Sequence, residues 1–328
     1  MYQLVHGAFM RKYLSVAVAT LGFAMSFSSQ ADDAFPNKPI KFVIPQAGGS
    51  ANDVLARTLA ESVSKILKQP VVIENKPGAN GMLGINYTLG QPADGYTWFM
   101  AGFSNLAWNH LLYKKVNYKL SDIEGVAIFA DTPFVSVTAP SLGQKDFKGF
   151  EKLIKEAPGK YAYASAGIGN STHLSTELIK QKTGMNLMHT PFNGPGSSVS
   201  VMNGDTPFMT IPPGGIMSLI KSEKLVPLAV TGDARLPALP NVPTYKELGY
   251  DITVPGWYSV IVKKGVDKAI VAKINSAINE ALKDPEMASR LEAQSLTAVT
   301  SKPEDVMVKA NQLAVEWAPI IDKLGIQQ

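Results

Sequence analysis

The chain has no cysteine in 328 residues, which excludes a disulfide framework, a thiol nucleophile and a thioether-linked lipid anchor. Histidine is scarce: of the four, only His110, His173 and His189 follow residue 31. No helical pairing links them, so no zinc ligand set is present and no metal is expected. Lysine and arginine are scattered and never form a dense block, so no nucleic-acid or lipid surface is implied. No serine stands in a Gly-x-Ser-x-Gly elbow, and the spacing of Ser165, His173 and Asp205 has too little specificity to make a hydrolase triad. No Gly-x-Gly-x-x-Gly fingerprint follows a strand, and Gly169-Asn170-Ser171-Thr172 lacks the lysine of a phosphate loop. The chain is therefore expected to be no enzyme and to hold no cofactor.

Long apolar runs are absent except near the start. Arg11 and Lys12 precede an uncharged, mostly apolar stretch from Tyr13 to Phe27, and Ser29-Gln30-Ala31 supplies small residues at a cleavage site. This is the pattern of a secretory signal peptide over residues 1–31, with Met10 as an alternative start. A membrane span is disfavoured because the stretch is short for a hydrocarbon core of about 30 Å and Asp32 and Asp33 follow at once. Cleavage after Ala31 leaves 297 of the 328 residues and, by removing Arg11 and Lys12, lowers the net charge from +4 to +2. That length suffices for two lobes with good cores, in a soluble secreted protein.

What the sequence does contain is two glycine-rich segments of one design. Pro45-Gln46-Ala47-Gly48-Gly49-Ser50-Ala51-Asn52-Asp53 and Ser165-Ala166-Gly167-Ile168-Gly169-Asn170-Ser171-Thr172-His173 each follow a short apolar run and open an amphipathic one. The preceding runs, Ile40 to Ile44 and Tyr161 to Ala164, read as strands; the following ones read as helices. A loop of this kind converges several backbone N–H groups and the positive end of a helix dipole, which suits a carboxylate. Asp53 falls in the first turn with Arg57 one turn later, an arrangement that braces the loop instead of meeting an anion. His173, also in a first turn, is expected to make a structural hydrogen bond.

Elsewhere strands alternate with helices, which argues for an α/β fold with mostly parallel sheets. The periodicity predicts a helix from about Ala51 to Lys68 with Val54, Leu55, Leu59, Val63, Ile66 and Leu67 on one face. It predicts strands at Val71 to Glu74 and Tyr96 to Met100, and a helix through Phe147, Phe150 and Ile154 that Pro158-Gly159 stops. Ile270, Val271, Ile274, Ile278 and Leu282 mark a further helix. Ser301-Lys302-Pro303-Glu304 reads as a capping box before a last helix whose stripe contains Val306, Ala310, Leu313, Trp317, Ile320 and Leu324, with Trp317 in the core.

Several segments, in order, carry a resemblance to a known family. They are Phe35 to Ile40, the first glycine loop through Arg57, Glu74 to Gly81, Ala93 to Thr97, Gly169 to Leu174, His189 to Gly194, and Leu239 to Thr244. With these the chain resembles the Bug family, periplasmic solute-binding proteins of tripartite tricarboxylate transporters. The resemblance implies a two-lobed type II periplasmic binding protein fold with a hinge and an interlobe cleft. Lobe 1 is then expected over 32–132 plus 255–328 and lobe 2 over 133–254, with crossings at Thr132-Pro133 and Val254-Pro255-Gly256. Its partners would be a small carboxylate and the integral-membrane permease subunits of the transporter, and the protein would be a monomer.

The family pins a ligand carboxylate between the two loops. Carried onto this sequence, Gln46, Gly49, Ser50, Ala51 and Asn52 form one jaw, and Ser165, Gly169, Asn170, Ser171 and Thr172 the other. Ser50-Ala51-Asn52 departs from the common family form, in which a glycine and then Ser-Thr precede the aspartate. Specificity is expected from Phe103, Ser104, Asn105, Asp131, Thr132 and the segment from Asp205 to Pro213. The ligand classes implied are di- and tricarboxylates, amino acids and aromatic acids. Alternatives are a neutral amide as ligand, or a periplasmic sensor domain as the reader of the closed form.

Overall fold

In the computed structural model the described residues are 35–192, 196–254 and 256–327. The expected signal peptide, Asn193, Gly194 and the proline of the second crossing lie outside them. Strands are β1 (Ile40–Ile44), β2 (Val71–Asn75), β3 (Thr97–Gly102), β4 (Ile123–Asp131), β5 (Val135–Thr138), β6 (Ala162–Ser165), β7 (Met188–Pro191), β8 (Phe208–Ile211), β9 (Val226–Val230), β10 (Trp257–Lys263) and β11 (Thr297–Ala298). Helices are α1 (Ala51–Leu67), α2 (Met82–Leu89), α3 (Asn109–Leu112), α4 (Phe147–Glu156), α5 (Ser171–Thr183), α6 (Gly196–Asn203), α7 (Met217–Lys221), α8 (Lys268–Ala281), α9 (Pro285–Glu292) and α10 (Pro303–Leu324).

The strands form two sheets. One has the order β11-β4-β10-β3-β1-β2, the other β7-β6-β8-β5-β9. In the first, β1 runs parallel to both β2 and β3, so the loops that leave these three strands share one edge. In the second, β6 runs parallel to β7 and β8. The chain leaves the first sheet after β4 and re-enters it at β10, and these two strands pair antiparallel.

The two passes between the sheets touch. The Thr132 N–H donates to the Gly256 carbonyl at 2.9 Å. A Cβ on Gly256 would sit 2.1 Å from the Thr132 carbonyl, so the approach admits no side chain there. Thr231 adds a clip: its Oγ1 accepts from the Phe134 N–H at 2.9 Å and donates to the Val254 carbonyl at 3.2 Å.

The helical faces follow the sequence pattern with two corrections. On α1 the buried stripe is Leu55, Ala56, Leu59, Ala60 and Val63, and Val54 lies beyond its edge, exposed. At the start of α10 the reciprocal carboxylate is Asp305, not Glu304: Asp305 Oδ2 accepts from the Lys302 N–H at 2.8 Å. Ser301 is used instead to clip β4, accepting from the Ile128 N–H at 2.7 Å. Trp317 is in the core, its ring 4.2 Å from that of Trp108. The helix that carries it, α10, packs on β4 and also reaches α5, which belongs with the second sheet. Among the described residues no helix is long and apolar enough to cross a membrane.

Candidate ligand-binding site

Both glycine segments are strand-to-helix loops, the first between β1 and α1 and the second between β6 and α5. In the first, Ser50 caps α1 by accepting from the Asp53 N–H at 3.2 Å. Asp53 is buried and faces inward to the loop. Its Oδ2 accepts from the Gly49 N–H at 3.0 Å and from Arg57 Nε at 2.8 Å, and its Oδ1 from Arg57 Nη2 at 3.1 Å and Asn75 Nδ2 at 2.9 Å. Asn75 also donates to the Gln46 carbonyl at 2.9 Å, tying the loop to the end of β2. The Arg57 guanidinium, helped by the Gly49 and Asn75 donors and opposed by burial, holds the Asp53 carboxyl down at about 2. Asp53 is a brace.

The second loop has no charge at its centre. Thr172 Oγ1 accepts from the Ala166 N–H at 2.8 Å and donates to Asn170 Oδ1 at 3.1 Å, while Asn170, the N-cap, accepts from the Thr172 N–H. Ser165 Oγ is 2.7 Å from His189 Nε2. His173 Nδ1 accepts from the Gly169 N–H at 3.1 Å. The His173 and His189 rings stack at 4.0 Å, and the Tyr163 ring lies 4.8 Å from that of His189. Burial, reinforced by His189, lowers His173 to about 4, and burial lowers His189 as well.

These bonds change the parts expected of several residues. Ser165, Thr172 and the Gly169 N–H are buried and engaged within the loop, so they shape the second jaw. Asn170 is a cap. Ser171 is half-buried, with Oγ toward Asn170 Oδ1 at 3.3 Å. On the first loop Ser50 is half-buried, and Asn52 Oδ1 accepts from Tyr258 at 3.0 Å. The Ala51 and Asn52 N–H groups are in the first turn of α1, where the helix offers no acceptor. Gln46 Oε1 is buried with no hydrogen-bond partner, the state of a polar atom placed to meet a ligand or water.

The specificity candidates are dispersed. Ser104 is half-buried at the start of a π-helical turn, Ser104–Trp108. Phe103 is core, and Asn105 is buried with both ends of its amide engaged. Asp131 is taken by Lys309 at 3.1 Å. Asp205 does not join the site. It is exposed on the approach to β8, and because β8 is parallel to β6 it lies at the end of the sheet away from the glycine loop.

The sequence did not single out an asparagine network at the same edge. Asn80, with left-handed backbone, offers its carbonyl to Asn105 Nδ2 at 2.8 Å and to Asn109 Nδ2 at 3.3 Å. Its own amide donates to Asn109 Oδ1 at 2.7 Å. Asn109 is further bonded to Tyr118. The only sequence signal was the Gly-Ala-Asn-Gly turn itself, Gly78 to Gly81. A Cβ on the next residue, Gly81, would lie 3.2 Å from Pro45 Cβ, and Asn80 Nδ2 is 3.5 Å from the Gly169 carbonyl. Both glycine loops thus abut the same turn.

The chain as a whole is similar to known proteins. A family model described as "Tripartite tricarboxylate transporter family receptor" matches residues 55–326. Protein BugT of Bordetella pertussis is 32% identical over 316 residues, covering 95% of this chain and 96% of the relative. Among solved structures, the periplasmic binding protein BugD aligns with a TM-score of 0.83 at 28% identity, covering 89% of this chain and 99% of the other. A protein of R. palustris solved with adipate aligns with a TM-score of 0.85 at 25% identity, with the same coverage.

Proposed function

We propose that this chain, which belongs to the tripartite tricarboxylate transporter receptor family, captures a small carboxylate in the periplasm between its two glycine loops. The closed form then passes the acid to the permease subunits of a tripartite tricarboxylate transporter. The observation that carries the reading is the convergence of both loops, each heading a helix, on the turn at Asn80. A carboxylate held between the two loops meets helix N-termini and backbone donors, with no basic side chain required. The adipate seen with the R. palustris relative supports an acid of this kind.

The first jaw supplies the Ala51 and Asn52 N–H groups, the Ser50 hydroxyl and the Gln46 amide. The second supplies Ser171, on a loop whose shape Ser165, Gly169, Asn170 and Thr172 maintain. Ser104 borders the far end of the cleft. Lobe 1 is 32–132 plus 255–328, lobe 2 is 133–254, and the protein acts as a monomer after loss of residues 1–31.

The test is a thermal-shift screen of protein beginning at Asp32, refolded to strip solute, against aliphatic, aromatic and amino acids. A rise of several degrees for one class is expected, since saturating ligand stabilises only the folded state. Replacing Ser50 and Ser171 together by alanine should weaken that acid without unfolding the protein. A flat response to every acid, with a rise for neutral amides, would overturn the carboxylate assignment.

A further inference from the structure

We infer that Asn80 and Tyr113 form a latch that closes lobe 1 on lobe 2 through groups that touch no ligand. This rests on the proposed reading only in taking lobe closure as the binding event. The Tyr113 hydroxyl donates to the Ile168 carbonyl at 3.2 Å, and Asn80 Nδ2 approaches the next carbonyl, Gly169, at 3.5 Å. Two successive peptide groups of the second jaw are thus held by side chains of the opposite lobe.

Each half of the latch is set before the lobes meet. The Asn80 amide is aimed by its bond to Asn109 and by the two donors on its own carbonyl, which fix a left-handed turn that asparagine tolerates better than most residues. On the other side the Gly169 N–H is fixed by His173. Gly169 is buried and has φ of +74°, and a Cβ there would lie 2.7 Å from the Tyr113 hydroxyl. The missing side chain is what lets the tyrosine in.

A neutral hydrogen bond of this kind changes an equilibrium by about 2- to 12-fold. The latch therefore gives the ligand-stripped protein a closed population. It also scales the affinity for every ligand by one common factor, because apparent affinity follows the fraction of competent protein. Asn80 and Tyr113 are positioning residues for binding, and they do not discriminate between acids.

The absence of cysteine makes the measurement direct. Lys65→Cys on α1 and Lys152→Cys on α4, both at exposed positions on opposite lobes, carry spin labels, and pulsed electron–electron resonance reads the interlobe distance in stripped protein. The expected result is a short-distance population that falls relative to the long one by about 2- to 12-fold in Tyr113→Phe. It should fall similarly in Asn80→Gly, which keeps the turn and loses the amide. Dissociation constants for adipate and malate should rise by one shared factor in each variant, with the melting temperature of stripped protein nearly unchanged in Tyr113→Phe and lowered in Asn80→Gly, which also takes the donor from the buried Asn109 Oδ1. A parent distribution with no short distance, or one that Tyr113→Phe leaves unaltered, overturns the latch. The distances read it even if neither acid binds, so its failure is separable from failure of the carboxylate assignment.

Discussion

The two glycine loops share one strand-to-helix design but are braced by different electrostatics. The first is organised around one ionised group, Asp53, which collects the Gly49 N–H, Arg57 and Asn75. The second is organised around neutral groups: His189 on Ser165, His173 on the Gly169 N–H, and Thr172 with Asn170. A carboxylate brace beside the proposed anion site is tolerable because its charge is neutralised by Arg57 on the same helix. An imidazole brace is tolerable only while uncharged. The two jaws should therefore fail under different conditions.

Acid is the largest discriminator. A histidine buried in its neutral form has a lowered pKa, so the unfolded chain binds more protons between its own pKa, near 6.5, and the folded value of about 4. Stability is full above about 6.5 and falls as the pH drops toward 4, by on the order of 3 kcal/mol for His173 alone. The lowered His189 acts in the same direction. Asp53 works in a lower window, above about pH 2 and below the ordinary carboxyl range, so its contribution is still intact where the histidines titrate. Urea melts from pH 7.5 to 4.5 should show this slope, and His173→Gln, which keeps an acceptor for the Gly169 N–H, should flatten it. An unchanged slope in that variant would remove the contrast.

Asp53→Asn comes next. It leaves Arg57 without its carboxylate and halves the strength of the Gly49 contact, a loss of about 2 kcal/mol at neutral pH. The drop in melting temperature should be insensitive to pH between 5 and 7.5, unlike the histidine effect. A glycine pair sharpens the comparison further. Gly49 and Gly169 share positive φ, 80° and 74°, so alanine at either meets about 1–2 kcal/mol of left-handed strain. A Cβ at Gly49 meets nothing within 4 Å, while one at Gly169 meets Tyr113. Gly169→Ala should therefore weaken acid binding well beyond Gly49→Ala at matched loss of stability, read by calorimetry and melting side by side.

The sequence showed most of what is local. Strand, glycine turn and amphipathic helix are adjacent along the chain, so both loops, the Asp53–Arg57 pair and the structural role of His173 could be read from periodicity and first-turn rules. Trp317 was recognisable as core for the same reason. The sequence could not separate a polar residue that meets a ligand from one that caps its own loop. Ser165, Thr172 and Asn170 have the residue types of both, and their bonds run inward because His189 and Ala166 are brought beside them by the strand pairing of β6 with β7 and the turn of the loop. Asp205 failed for a topological reason, since only the parallel register of β8 shows which end of the sheet it occupies. The Asn80–Asn105–Asn109–Tyr118 network spans three segments and left no periodic trace.

The smallest expected effect concerns the caps, and it tests how redundant each jaw is. Ser50 contributes a single bond to the Asp53 N–H at 3.2 Å, and Asp53 is held independently by Arg57, Gly49 and Asn75. Ser50→Ala should therefore cost about 1 kcal/mol or less. Asn170 has the same position on α5, but its Oδ1 also receives Thr172 Oγ1, and that hydroxyl in turn holds the Ala166 N–H. Loss of the Asn170 acceptor should release the chain of bonds behind it, so Asn170→Ala should exceed Ser50→Ala although the two caps look alike in sequence. Equal losses on chemical denaturation would mean that the neutral jaw is as independently braced as the charged one.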